Sequence, residues 1–236
     1  MKLDEVRTRL RVSASEKDAA NLQRYFKTGP GEYGAGDRFL GIRVPAIRKL
    51  VRQTDALAVE DIRLLIHSAW HEERLLALLI LVRRYQRGEE ALRGSLFEFY
   101  CREIRWINNW DLVDLSAPHI VGHWLLNRPR DFLHQLAASP NLWERRIAVL
   151  ATLAFIRMGD FADTIHLCRA LIQDPHDLIH KACGWMLREV GKRDEQPLNH
   201  FLKAHTSQLP RTMLRYAIER LPATQRQAWM SLPAGR

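Results

Sequence analysis

Glu144-Arg-Arg-Ile-Ala-Val-Leu-Ala-Thr-Leu-Ala-Phe-Ile156 is the stretch whose reading decides the fold class. Glu, Arg, Leu and Ala are strong helix formers, and the stretch does not alternate apolar and polar residues as a half-buried strand would. Asp61-Ile-Arg-Leu-Leu-Ile66 and Glu72-Glu-Arg-Leu-Leu-Ala-Leu-Leu-Ile-Leu-Val82 read the same way. Short polar punctuation separates such runs: Gln53-Thr-Asp55, His67-Ser68, Arg87-Gly88, Ser139-Pro-Asn141, Met158-Gly-Asp160, Asp174-Pro175, Lys192-Arg-Asp194 and Leu221-Pro222. From Phe39 onward the sequence predicts helices and almost no strand.

The spacing of these helices carries more. Alanines 46, 77, 117, 148, 182 and 217 each sit early in an apolar run, behind a polar or charged residue. Their separations are 31, 40, 31, 34 and 35 residues, a loose period of about 35, the length of one helix pair in HEAT-like or tetratricopeptide arrays. The tetratricopeptide signature is absent. The expected architecture is one all-α domain over residues 1–236, a HEAT-like α-solenoid of about six irregular helix pairs. Just ahead of the alanines lie Arg43, Arg74, Asp114, Arg145 with Arg146, Lys181, and Arg215. The second helices of a solenoid line its concave face, so this column of bases predicts a basic groove following a phosphate backbone. Asp114 is the one acid in that column.

Leu3 to Lys27 is charged, with apolar residues at helical spacing; Ser13 or Ser15 ahead of Glu16 reads as a helix start, and Tyr25 and Phe26 close that helix. Thr28-Gly-Pro-Gly-Glu-Tyr-Gly-Ala-Gly-Asp37 must be a loop. It has neither the Gly-Lys-Ser/Thr of a Walker loop nor GxGxxG after a strand. Its glycine amides could contact a phosphate, or it is a plain loop. Residues 222–236 read as a C-terminal tail region. Glu72-Glu73 reads as a solvated helix start, and Trp124 and Trp229 as core residues. Pro118 is expected to kink a long helix that continues through His119-Ile-Val-Gly-His-Trp-Leu-Leu126.

The net charge of +9 points to a polyanionic partner, most often nucleic acid. The three cysteines, Cys101, Cys168 and Cys183, are widely spaced with no CxxC, which argues against a disulfide framework or a zinc site and fits a reducing compartment. Met-Lys-Leu-Asp-Glu-Val-Arg7 is not a secretory signal, and the run Leu75–Val82 is too short to span a bilayer. A soluble, cytoplasmic protein is expected, with no membrane partner. His176 and His180 have an i,i+4 spacing that can bind zinc, but no HExxH is formed, so neither metal nor cofactor is expected.

Trp106-Ile-Asn-Asn-Trp110-Asp111-Leu-Val-Asp114-Leu-Ser-Ala-Pro118 puts two tryptophans and two aspartates within nine residues of a basic chain. On a helix, Trp110 and Asp114 are i,i+4 neighbours. An aromatic plate beside a carboxylate suits a flat, cationic ligand; the plainer alternative is a buried Trp with a capping or surface Asp. Trp106 reads as a helix-entry or core residue and Asp111 as a first-turn acid. Further on, Trp143 and Arg146 are i,i+3, and Trp185 lies one turn beyond Lys181.

Trp110-Asp-Leu-Val-Asp114, Trp143-Glu-Arg-Arg146-Ile-Ala and Lys181-Ala-Cys-Gly-Trp185-Met-Leu-Arg188-Glu resemble the AlkD-like DNA alkylation repair family of HEAT-like DNA glycosylases. Phe39-Leu-Gly-Ile-Arg-Val-Pro45 is similar to that family's early FLGI-x-x-P segment. The resemblance runs in order from roughly Tyr25 to Arg215. It implies removal of N3- and N7-alkylated purines from double-stranded DNA, by a protein acting as a monomer. It places the catalytic carboxylate on Asp114 and lesion binding on Trp110, Trp185 and Arg146. Arg43, Arg74, Arg145, Lys181, Arg188 and Arg215 would then grip the DNA backbone. The glycine-rich loop, Gly29 to Gly36, looks longer than the family pattern. A non-catalytic HEAT-like module binding damaged or branched DNA, and a protein-interaction scaffold, are the competing readings.

Overall fold

The computed structural model describes residues 1–232. Among them every named element is helical; the sole extended pairing is an isolated bridge between Arg38 and Trp70. By packing the chain divides into two compact units, Met1–Ser116 and the chain from Ala117 onward.

The first unit contains α1 (Leu3–Val12), α2 (Glu16–Tyr25), α3 (Val44–Val51), α4 (Val59–Ile66), α5 (His71–Arg87) and α6 (Glu90–Arg102), followed by a 3-10 turn (Ile104–Trp106) and α7 (Trp110–Asp114). Ser15 caps α2 by accepting the Asp18 N–H, and Phe26 closes it, as the sequence predicts. Helices α3, α5 and α7 pack in a row, with α4 and α6 laid against α5. The second unit contains a π-helical turn (Pro118–Gly122), then α8 (Asp131–Ala137), α9 (Leu142–Ala151), α10 (Leu153–Arg157), α11 (Ala162–Ala170), α12 (Asp177–Gly191), α13 (Glu195–His205), α14 (Arg211–Ala217) and α15 (Ala223–Ser231). Here the π turn, α9, α12 and α14 form the row, with α8 against α9 and with α11 and α13 against α12. Within each unit this is the two-layer, solenoid-like succession of a helical repeat array.

Five of the six register alanines, Ala77, Ala117, Ala148, Ala182 and Ala217, are buried. Ala46 is exposed, because Ile47 takes the inward place on α3. Close approach in the second row also rests on Gly184: a Cβ there would run into the Met213 carbonyl and the Tyr216 side chain.

Three helix expectations need correcting. The run Glu144–Ile156 is two helices, because the buried Thr152 hydroxyl bonds back to the Val149 carbonyl at 2.7 Å and ends α9 one residue earlier. No single kinked helix crosses Pro118: α7 ends at Asp114, and beyond the proline the Gly122 N–H reaches back to the Ala117 carbonyl in a wide π turn. The 222–236 region begins as α15, and residues 233–236 lie outside the described residues.

The head of α5 departs most from expectation. Glu72 and Glu73 are not solvated; each is 1% exposed. Glu73 takes Arg7 and Arg11 from α1. Glu72 accepts three consecutive backbone N–H groups, from Leu40 (2.9 Å), Gly41 (2.8 Å) and Ile42 (3.1 Å). Gly41 has φ +82, and a Cβ there would strike the Ser15 carbonyl and the Ala19 amide, so only glycine fits. The glycine-rich loop ahead of it is tied by its own turns, with Gly34 N–H on Lys27 C=O and Asp37 N–H on Gly34 C=O.

Candidate functional site

Helix α7 has five residues, too few to hold a helical turn on its own strength. Its geometry is imposed from outside. Asn109, fully buried, accepts the Trp110 N–H on Oδ1 at 2.8 Å and donates from Nδ2 to Asp37 Oδ2 at 2.9 Å. Asp111 accepts its neighbour's N–H, that of Leu112, on Oδ1. Its other oxygen takes His71 Nε2–H at 2.8 Å, and His71 Nδ1–H reaches Asp37 Oδ2 at 3.2 Å. The Arg74 guanidinium completes the cluster on Asp37 Oδ1 and also donates to the Ser68 carbonyl. Asp111 is therefore more than a first-turn acid: it anchors α7 to α5.

An imidazole with a carboxylate at each nitrogen satisfies both only as the doubly protonated cation. Burial, the largest effect on His71, works against that charge. The charge and hydrogen bond of Asp111 and the hydrogen bond to Asp37 outweigh it, and His71 is pushed up to about 9. For Asp37 burial favours the neutral acid, yet His71, Arg74 and Asn109 together hold its carboxyl below the usual carboxylate range.

The same ring lies in an aromatic stack. Phe39 sits 4.6 Å from His71, and Phe26 lies 5.0 Å from it. Trp110 lies nearly parallel to Phe26, at 5.0 Å and 11°, with Tyr25 edge-on at 5.9 Å. Asp111, Leu112 and Val113 are buried, whereas Trp110 and Asp114 are half-buried, on the remaining face. Below them, Ser116 Oγ donates to the Leu112 carbonyl and so accepts from the Tyr100 hydroxyl at 2.9 Å. Tyr100 is fully buried, and burial, with the nearby Asp114 charge adding to it, pushes its hydroxyl far above its ordinary value.

On the second unit, Arg146 is buried on α9, with Nη1–H donating to the Leu178 carbonyl at 2.6 Å. Trp185 is half-buried on α12 and donates its indole N–H to Glu189 at 3.2 Å. Trp143 beside Arg146 is a core residue at 8% exposure. Trp124 and Trp229 are half-buried rather than core; the Arg128 guanidinium sits 3.6 Å above the Trp124 ring. Trp106 stacks on His67 at 4.6 Å.

The expected backbone-binding bases divide by environment. Arg43 is exposed and only loosely paired with Asp18, at 3.7 Å; Arg215 is exposed. Lys181 is half-buried beside Asp177 at 2.8 Å. Arg145 is engaged by Asp174 and by the Ser139 and Pro140 carbonyls, and Arg188 by Glu219 and Glu189. Arg74 does not fit its expected role. It is 4% exposed and neutralised by Asp37, so it belongs to the core network. Of the two i,i+4 histidines, His176 has a structural use: its Nδ1 caps α12 by accepting the Leu178 N–H. A cavity of about 410 Å³, lined by Arg9, Leu10, Ile42, Lys49 and Leu50 among others, shares no residue with the Trp110–Asp114 face.

Sequence reasoning missed Asp37, His71 and Asn109. The available signal was that both neighbours of Trp110 are polar, and that Trp70-His-Glu-Glu-Arg74 opens an otherwise apolar helix.

An all-helical, solenoid-like succession among the described residues, with a half-buried tryptophan–carboxylate pair on a braced single turn, places the chain in the class of α-solenoid-like proteins. The chain belongs to the DNA alkylation repair enzyme family, whose model matches residues 6–221. Its fold is similar to that of a solved structure of a predicted DNA alkylation repair enzyme from Enterococcus faecalis, with a TM-score of 0.69 and 18% identity over 89% of this chain and 98% of that one. A search of curated proteins finds no match. No helix among the described residues is long and apolar enough to cross a membrane.

Proposed function

We propose that the protein is a monofunctional, AlkD-like DNA glycosylase that hydrolyses the N-glycosidic bond of N3- or N7-alkylated purines in duplex DNA. The observation carrying this reading is that α7 buries three of its five residues and leaves Trp110 and Asp114 together on the accessible face. An N3- or N7-alkylpurine is cationic and already a good leaving group. The C1′–N bond breaks with its electron pair going to the base, and water adds to the sugar. A single carboxylate supports this by stabilising the oxocarbenium-like sugar and by positioning and deprotonating the water. The face of Trp110 attracts the cationic base, worth about 0.5–2 kcal/mol.

The family resemblance assigns lesion binding to Trp185 and Arg146, and the Arg146 guanidinium would hold a phosphate near the lesion. The Arg146 bond to the Leu178 carbonyl holds its guanidinium in a fixed orientation. Arg43 and Arg215, both exposed, would supply backbone contacts directly, and Lys181, Arg145 and Arg188 would have to share existing partners. No cofactor is invoked, and the protein is taken to act as a monomer in the cytoplasm.

The test is release of 7-methylguanine from methylated duplex DNA by the purified protein. Wild type should release it, and Asp114→Asn should lose most of that release while still binding the duplex. Binding with no release by the wild type, across several alkyl lesions, would leave a damage-binding module instead.

A further inference from the structure

We propose that His71, bridging Asp37 and Asp111, is a positioning residue for the Trp110–Asp114 face, so that its charged imidazolium sets where that face stands. As a statement about catalysis this rests on Asp114 being the reactive carboxylate.

The hydrogen bonds form a closed circuit. From Asp37 it runs through His71 to Asp111, through the Asp111 side chain to the Leu112 N–H, and back along α7 to Trp110, whose N–H is held by Asn109, itself bonded to Asp37. The circuit clamps both residues that flank Trp110. A second link runs through the rings, from His71 to Phe26 to Trp110. The charged groups facing His71 are Asp111 from α7, Asp37 from the end of the glycine-rich loop, and Arg74 from α5 itself; Phe26 and Phe39 fill the other sides. When the imidazole loses its second proton, it can donate to only one of its two carboxylates. The bare ring nitrogen then faces a carboxylate oxygen at 2.8 or 3.2 Å, lone pair against lone pair, a repulsion that the unit can relieve by shifting α7. The high affinity of His71 for its proton places that event at alkaline pH.

The experiment follows the indole N–H signals of the ¹⁵N-labelled full-length protein from about pH 6 to 10, with the Trp110 signal assigned through Trp110→Phe. The expected result is a Trp110 shift with a midpoint near the His71 value of about 9. The shift should be absent in His71→Gln and should move to lower pH in Asp111→Asn, with helical circular dichroism unchanged. Single-turnover release should fall through the same pH range and be on the order of 100-fold slower in His71→Gln, with DNA affinity retained, as expected for a displaced catalytic group. A Trp110 signal flat across the range in folded wild type, or one that moves identically in His71→Gln, overturns the proposal. If wild type releases no base, the glycosylase reading fails and the Trp110 titration still decides this one. If His71→Gln does not fold, the wild-type titration decides alone.

Discussion

Glu72 Oε1 lies 2.8 Å from the amide nitrogen of Gly41, and the same carboxylate holds the amides on either side of it. A side chain from α5 thus acts as the anion in a backbone nest built by Leu40-Gly41-Ile42. Replacing it leaves three buried N–H groups without an acceptor, at about 1–3 kcal/mol each. Glu72→Ala is expected to lower the urea midpoint by an amount equivalent to at least about 3 kcal/mol. A loss below about 1 kcal/mol would show that water reaches the nest.

The buried charges set a pH window for stability. His71 has a folded value of about 9 against 6.5 when unfolded, so its contribution is complete below pH 6.5 and disappears as pH rises through 9. That contribution is on the order of 3 kcal/mol. Asp37 is depressed below 3.8, so its contribution is present above that pH and is lost as pH falls below it. Denaturant midpoints measured across pH should therefore decline on both sides, with the alkaline decline removed in His71→Gln. A wild-type profile still flat at pH 10 would contradict the doubly bonded imidazolium.

Burial separates the arginines that resemblance alone groups together. Arg43→Ala and Arg215→Ala, on exposed residues, should weaken duplex binding and reduce the slope of log affinity against log salt by about 0.9 each. Arg74→Ala should leave that slope unchanged in whatever fraction stays folded. It should also destabilise by roughly 1.5–3 kcal/mol, because the buried Asp37 carboxylate loses a charged hydrogen-bond partner while keeping His71 and Asn109. Filter binding at several salt concentrations and thermal melts distinguish the two classes.

Gly184 sets how closely α12 and α14 approach. Gly184→Ala is expected to cost about 1–3 kcal/mol by overpacking against the Met213 carbonyl and the Tyr216 side chain. Because Trp185 follows it directly, release activity should fall along with stability. An unchanged melting temperature would mean that α14 shifts freely.

The helical class was legible because Leu-, Ala- and Arg-rich runs with polar punctuation leave few alternatives, and five of the six register alanines do face inward. Helix ends were less legible. The break at Thr152 depends on a buried hydroxyl bonding to its own helix, and the one at Pro118 on a π turn. The prominence of Trp110 and Asp114 came from the repeat register, in which Asp114 is the one acid, and from the resemblance that also marks Arg146 and Trp185. Their support did not, because it joins positions 37, 71 and 109–111, whose partnership only tertiary packing creates. For the same reason Arg74 looked like its neighbours in the register. Nothing in the local sequence says that an arginine one turn into a helix meets a buried aspartate from a distant loop.

The circuit around His71 also bears on how such a chain can vary over time. Its side chains, Asp37, His71, Arg74, Asn109 and Asp111, come from three separated segments, and the loss of any one takes a partner from a buried charge or amide. Each position is therefore hostage to the others. Among relatives these segments should be inherited as a block or exchanged together, while the exposed bases drift independently.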